Sequence, residues 1–376
     1  MEFNLQDFLR ADRSDSQAVS ACLQEARNCP GEKVLIFSGR DWALDESILL
    51  PSQTTVIIDG CELCQNDEVF DTVLRGDNMT LDPAEPYGQP LAIAPLHDIR
   101  IIGLNGATIA GCRRNRRMPH PFFDHQVQEM VGDFWGWRGH QIDLAFCDNF
   151  EICGLDFRRT RSWALSFGGC SGGYIHDLHL NARVKNGDGI DFRCGCHHCR
   201  VEQISGYTLD DTVACTALYG RTTTELSKYL FTNEPTKKFL HATGDVRALD
   251  IHDISIRGLR NSGKCHAVIC LAAGGPQVYN IDIQEVSEAS WRGRGCCLIY
   301  LYTGYGTGYT AGDLHDISIR EVTARSLPFP GEARRPLWAA VASNTEVRNV
   351  HLSGIRQLGV GPAVDLLYPD GFTVSD

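Results

Sequence analysis

The chain of 376 residues is 43% hydrophobic and 22% charged, with a formal net charge of −12. This is the composition of a folded protein with ample core and excludes a disordered chain. The acidic balance argues against nucleic acid and anionic membranes as partners, and no apolar run reaches the roughly 18 residues of a membrane span. The opening stretch, MEFNLQDFLRADRSDSQAVSA, has neither a basic n-region nor an apolar h-region, so the expectation is a cytoplasmic protein whose 16 cysteines stay reduced. A chain from which a signal peptide has been removed is the alternative.

In chain order, residues 14 to 28 (SDSQAVSACLQEARN) place Ala18, Val19, Cys22, Leu23 and Ala26 at helical spacing behind Ser and Asp caps. Short strands follow at 33 to 37, 46 to 50 and 54 to 59, separated by Gly, Pro and Asp. One helix ahead of a run of strands suits the cap of a β-solenoid, whose end coil otherwise offers unpaired backbone groups. A faint repeat then recurs as LHDIRIIG (96 to 103), IHDLHLN (175 to 181), IHDISIRG (251 to 258), YNIDIQEV (279 to 286), LHDISIRE (314 to 321) and VRNVHLSG (347 to 354). Between these lie second strands such as WALSFGG, AVICLAAGG, CLIYLYTG and WAAVASN. Two or three strands per unit, without helices between them, predict an all-β, right-handed parallel β-helix and exclude barrels and doubly wound sheets that need such helices. Residues 112 to 139 and 221 to 247 are too long for single turns and are expected to rise as loops over the active-site face. No linker interrupts the chain, so residues 1 to 376 are read as one domain.

The stretch from Asn186 to Asp211 carries the chemistry. Asp188 lies in NGDG, and Asp210 and Asp211 follow in LDD about one coil later, so stacking brings the three carboxylates to one face, with coils about 4.8 Å apart. Either motif alone is ordinary turn chemistry; the pair, one coil apart, has the parts of an inverting glycosidase. Such an enzyme needs a carboxylic acid for the leaving oxygen and a carboxylate that activates water about 6.5–9.5 Å away. Mutual repulsion in a trio raises at least one pKa and keeps a proton available.

Residues 148 to 215 resemble the core of polygalacturonase-type glycoside hydrolases, whose coil carrying N-T-D-G-I-D is followed about twenty residues later by G-D-D and an apolar strand. NGDGID (186 to 191) and LDDTVA (209 to 214) stand in those places. The preceding DNFEICGLDFRRTRSWALSFGGCSGGYIHDLHLN and the first coils resemble the family more loosely. The resemblance implies a right-handed parallel β-helix, no cofactor, no metal, Asp211 as general acid, and Asp188 with Asp210 positioning and deprotonating water. The family's H-G-x-x-I-G-S segment is absent, with only His241 in a comparable place. Its substrate-binding R-x-K has no clean match, NSGKCHAVICL offering Lys264 and His266 instead. The sugar therefore stays open.

Asn186 and Lys185, beside Asp188, are candidate substrate contacts. Aromatic platforms for sugar rings are sought at Trp135 and Trp137, and at Tyr302, Tyr305 and Tyr309, which stand among glycines. Trp163 is read as platform or core. Arg113, Arg114, Arg116 and Arg117, with Arg158, Arg159 and Arg161, form basic runs that suit an anionic glycan or a solvated loop. CGCHHC (194 to 199) and CELC (61 to 64) have zinc-ligand residue types, but alternation along a strand keeps their side chains from converging, so no metal is expected. The His-Asp pairs at 97–98, 176–177, 252–253 and 315–316 recur with the repeat and are read as turn elements. The expected partner is an oligosaccharide, imported rather than polymeric and cut at a closed, exo-acting site; solenoid side faces leave a homo-oligomer open. Two rivals remain: a lyase or uronate epimerase with calcium on the carboxylates and Lys185 or Arg183 as base, and a non-catalytic glycan-binding β-helix, as in adhesins or phage tail proteins.

Overall fold

The computed structural model describes residues 1–84, 88–114, 136–218, 233–291, 293, 296–303, 310, 312–325 and 338–376. Apart from one antiparallel hairpin, Met79–Thr80 with Ala92–Ile93, its strands pair in parallel. They form a 16-stranded sheet and a 10-stranded sheet that wind together into a parallel β-helix.

Side-chain alternation explains the two sheets. In the longer one, Leu35, Val56, Ile101, Ile152, Ile175, Val201, Ile256, Ile283, Ile319 and Leu352 lie in register on successive strands and are all buried. In the shorter one, Leu74, Ile142, Leu165, Ile190, Val213, Val268, Ile299 and Val341 make the facing ladder. Both ladders belong to one continuous core. β-branched residues fit this use, since each packs on a near-copy of itself one coil away. The strand repeats read from the sequence fall in the longer sheet, and the second strands fall in the shorter.

Helix α1 (Asp15–Arg27) begins with a capping box between Ser14 and Gln17. It buries Val19, Cys22, Leu23 and Ala26 in the same core and so covers the first coil. The 221–247 segment, expected as loop, contains a second short helix, α2 (Lys237–Ala242), where residues are described. Its Leu240 packs with Cys194 and Leu249 at the end of the shorter sheet, an apolar contact that a purely polar loop would lack. Most of 112 to 139 and residues 219 to 232 lie outside the described residues.

Each long strand bends at a left-handed residue. Asp98, Asn149, Gly172, His198, Asp253, Asn280, Asp316 and Asn349 occupy one row with φ between 52° and 64°, and Asn and Asp tolerate that conformation better than most residues. The recurring His-Asp pairs act here: His97, His252 and His315 donate through Nδ1 to the adjacent carboxylate at 2.8, 2.7 and 2.6 Å, and His176 does the same to Asp177 at 2.7 Å in a second bend row.

Inside the helix, Phe150, Phe167 and Phe192 stack at 4.7 and 5.6 Å between ring centroids. Replacing Phe167, which is fully buried, by Ala should cost about 3–5 kcal/mol in denaturant unfolding. A loss below about 1 kcal/mol would mean the ladder can collapse around the gap.

Candidate active site

Asp188 sits in the turn that leads into the strand Ile190–Arg193. The chain fits there because of its neighbours: Asn186 takes a left-handed φ of 52°, and a Cβ on Gly189 would lie 2.5 Å from the Thr212 carbonyl. One coil on, Asp210 and Asp211 precede the strand Val213–Leu218. The coils are tied together by Gly189 N–H to the Asp211 carbonyl at 2.9 Å and Asp210 N–H to the Gly187 carbonyl at 3.4 Å. Continuing the strand register past its first pairs sets Trp163, Asp188, Asp211, His266 and Cys297 in one row across successive coils, with Asp210, Cys265 and Cys296 in the row beside it.

The trio is thus assembled, and its electrostatics are those of crowded acid. Asp188 is only 7% exposed and its Oδ1 has no hydrogen-bond partner. Burial, then the carboxylates of Asp191, Asp210 and Asp211, push its pKa well above the ordinary range, with Arg193 pulling back. Asp210 is also raised, chiefly by burial, although the Cys265 thiol and the charge of Lys185 oppose the rise. Asp211 accepts the backbone N–H of His266 on Oδ1 at 3.0 Å. His266 is fixed in turn by Nδ1 donating to the Cys297 carbonyl at 2.9 Å.

A further carboxylate was not singled out from sequence. Asp191 follows Ile190 on the strand; Ile190 and Phe192 point into the core, so Asp191 and Arg193 emerge on the opposite face. Asp191 is fully buried with neither oxygen hydrogen-bonded. Burial raises its pKa well above the usual value, against the pull of Arg193 at 3.9 Å. Arg193 lies 4.9 Å from the Trp163 ring and pairs with Glu234. Burial alone would push Glu234 up, but Arg193 and Lys237 hold it below the usual carboxylate range. Trp163 stacks on His140 at 4.6 Å, and His140 pairs with Asp143 at 2.8 Å in a fully buried dyad; burial lowers the histidine and raises the aspartate. The alternation of IDFR could have signalled Asp191 and Arg193. Nothing local signals Glu234, which comes from the segment just before α2, or Cys265, which arrives through coil stacking.

The other sequence candidates divide. Lys185 reaches Asp210 electrostatically, and Asn186 shapes the turn. Tyr302 stacks on Tyr300 at 4.9 Å, and Tyr300 meets the His266 ring at 5.0 Å, an aromatic extension of the site in which Tyr300 was overlooked. Lys264 is exposed, its carbonyl accepting from the Cys296 thiol at 3.2 Å. His241, on α2, has Lys237 and Glu234 as its charged neighbours rather than the trio. Trp137 is fully buried with Nε1 donating to the Gly88 carbonyl at 3.1 Å, so it packs the wall and offers no open face to a sugar. Tyr305, Tyr309, Trp135, Arg116 and Arg117 lie outside the described residues. The remaining arginines are engaged within the fold: Arg158 with Asp156, Arg159 with Glu62, and Arg161 with the Asn66 carbonyl, while the backbone N–H groups of Arg113 and Arg114 donate to Asp67. In CGCHHC the Cys196 thiol meets the Phe167 carbonyl and the Cys199 thiol the His197 carbonyl, and none of the 16 cysteines forms a disulfide.

Donor atoms of Asp210, Asp211 and Cys265 lie within 4.8 Å of one another. A thiol among them does not suit calcium, which takes oxygen ligands.

No family model and no curated protein matches the sequence. Solved structures do. An exopolygalacturonase from Thermotoga maritima superposes with a TM-score of 0.55 at 12% identity, over 100% of this chain and 90% of its own. A polygalacturonase from Erwinia carotovora gives 0.55 at 14%, over 98% and 96%. The chain has the polygalacturonase-type fold. A tailspike mutant of the E. coli bacteriophage HK620 in complex with a pentasaccharide gives 0.61 at 14% identity, over 99% of this chain but only 59% of the tailspike. The Streptococcus pneumoniae adhesin PfbA gives 0.56 at 12%, over 100% and 99%. At these identities the likeness is one of fold.

The raised Asp188 has a consequence for stability. Its folded pKa lies above the unfolded value of about 3.9, so as pH rises past that value the unfolded chain releases a proton that the folded chain keeps. Stability therefore falls through this window and stays lower above it. Asp188→Asn, which carries no charge, should melt higher than the parent at neutral pH and equally at pH values below the carboxylate range. A lower melting point at neutral pH would show that the ionised carboxylate is favoured in the fold.

Proposed function

We propose that the protein is a glycoside hydrolase acting on acidic or plant-derived oligosaccharides by inverting single displacement. The reading is carried by the buried, proton-retaining carboxylate cluster that Asp188, Asp210 and Asp211 form on adjacent coils. Asp211, more exposed than Asp188, donates the proton to the leaving oxygen; Asp188 and Asp210 position and deprotonate water. In the free site the proton resides foremost on Asp188 and is shared through the cluster, whose apparent pKa values belong to the group. Binding of the sugar and departure of solvent then set its final position on Asp211.

The aromatic row supplies the matching subsite. Ile299 and Leu301 face the core, which turns Tyr300 and Tyr302 outward. Beside them Ala214, Leu218, Ile269, Leu271 and Ala273 form a small apolar cluster. A pyranose presents just such a mixture, apolar C–H faces and polar edges, and would lie across the tyrosines with its glycosidic bond toward Asp211. Lys185 gives the site a cation for an acidic sugar.

The test is proton NMR of the anomeric region with a panel of pectic and neutral oligosaccharides. The expected result is a reducing end of inverted configuration, lost by about 10²–10⁴-fold in Asp211→Asn and unaffected by a chelator. Unsaturated uronate signals that disappear with the chelator would assign a lyase. Tight binding without turnover, unchanged in Asp211→Asn, would assign a glycan-binding protein of the kind that tailspike and adhesin folds also house.

A further inference from the structure

The bend row of the longer sheet holds one anomaly. At seven of its positions the left-handed residue is Asp, Asn or Gly, and where an Asp is followed by Asn the two share an amide–carboxylate hydrogen bond, as in Asn280 to Asp253 at 3.1 Å. At one position the residue is His198, held at a φ of 54°. Its neighbour in the next coil is Asp253, and its Nδ1 lies 3.1 Å from Asp253 Oδ2. The same oxygen is 2.7 Å from His252 Nδ1. In the otherwise equivalent pairs His97–Asp98 and His315–Asp316 one imidazole faces the carboxylate and an asparagine takes the other side.

We propose that His198, His252 and Asp253 form a binding site for a divalent first-row transition ion of the zinc type. The three donor atoms lie within 4.8 Å of one another, and a tetrahedral ion with bonds of about 2.0–2.1 Å wants its ligands about 3.3 Å apart, a spacing the 3.1 Å between His198 and Asp253 nearly meets and the 2.7 Å between His252 and Asp253 reaches by a small outward shift. Two imidazoles and a carboxylate are the donor set that zinc takes when it keeps a fourth position open, and His198, 63% exposed, leaves that position to water. On binding, each neutral imidazole shifts its proton from Nδ1 to Nε2 through solvent, and the Nδ1 lone pair turns to the metal.

The supports for such ligands are already in place. Asn280 holds the other oxygen of Asp253. The His252 ring is sandwiched between His197 at 5.0 Å and Tyr279 at 4.9 Å, nearly parallel to both, which fixes the direction of its nitrogen. His198 is the second histidine of CGCHHC. Its thiol neighbours are committed to the interior, and the missing ligands come from the adjacent coil, across the whole 209–250 segment. A bound ion would therefore staple two coils that the chain itself joins only through a long excursion.

The experiment titrates the full chain with zinc chloride by calorimetry, in parallel with His198→Asn and Cys265→Ser. Asn is the residue that other coils use at this bend, so His198→Asn should keep the fold and its far-ultraviolet circular dichroism. The expected result is one zinc per chain, weakened by about tenfold or more in His198→Asn and unchanged in Cys265→Ser. In the parent protein, nitrogen-15 NMR of the imidazoles should show zinc moving the Nδ1 signals of His198 and His252 while those of His97 and His315 stay in place. Absence of binding to the parent at millimolar zinc, equal binding by His198→Asn, or binding lost only in Cys265→Ser would each overturn the proposal, the last by placing the ion at the carboxylates.

Discussion

In-register parallel stacking is the constraint from which the rest of this structure follows. Each residue of a coil meets its counterpart about 4.8 Å away in the next, so like is laid on like along the whole molecule. For Ile and Val this is close packing repeated many times. For the left-handed bends it becomes a ladder of Asp and Asn side chains. For Asp188 and Asp211 it sets like charges together, and burial with that crowding pushes the Asp188 pKa well above the ordinary range. The Arg193 guanidinium beside Asp188 is shared between Asp191 and Glu234.

That constraint also decides what could be read in advance. Period-two alternation and the recurring His-Asp turns are local, so the repeat, the two strand families and the capping helix were legible. The pairing of Asp188 with Asp210 and Asp211 was legible because its spacing equals one coil. Cys265 and Glu234 were not, since they join the cluster from 55 positions beyond Asp210 and through α2, distances that no local pattern encodes. Trp137 shows the opposite failure: a tryptophan among glycines in a long segment reads as a sugar platform, yet its indole N–H finds the Gly88 carbonyl and the ring closes the wall. In CGCHHC the thiols of Cys196 and Cys199 meet backbone carbonyls, and the carboxylate that His198 meets lies on another coil, where no local pattern could show it.

A β-helix by itself says little about chemistry, since enzymes, tailspikes and adhesins all stack coils in this way. Function resides in what a few coils place on one face. Here the turns entering two central strands of the shorter sheet carry the carboxylates, and two coils beyond Asp211 the same sheet carries a tyrosine pair over an apolar floor. A carboxylate cluster and a flat aromatic surface thus share one sheet because strand order sets them there.

The central claim, that the stacked carboxylates hold at least one proton well above the ordinary carboxylate range, is open to direct measurement by carbon-13 NMR titration of the protein labelled at the aspartate side-chain carboxyls. The account predicts one or more resonances of the cluster that titrate well above the ordinary value of about 3.9 and move when Asp191 is replaced by Asn. If every aspartate titrates in the ordinary range, the cluster holds no stored proton and the account of the site is wrong.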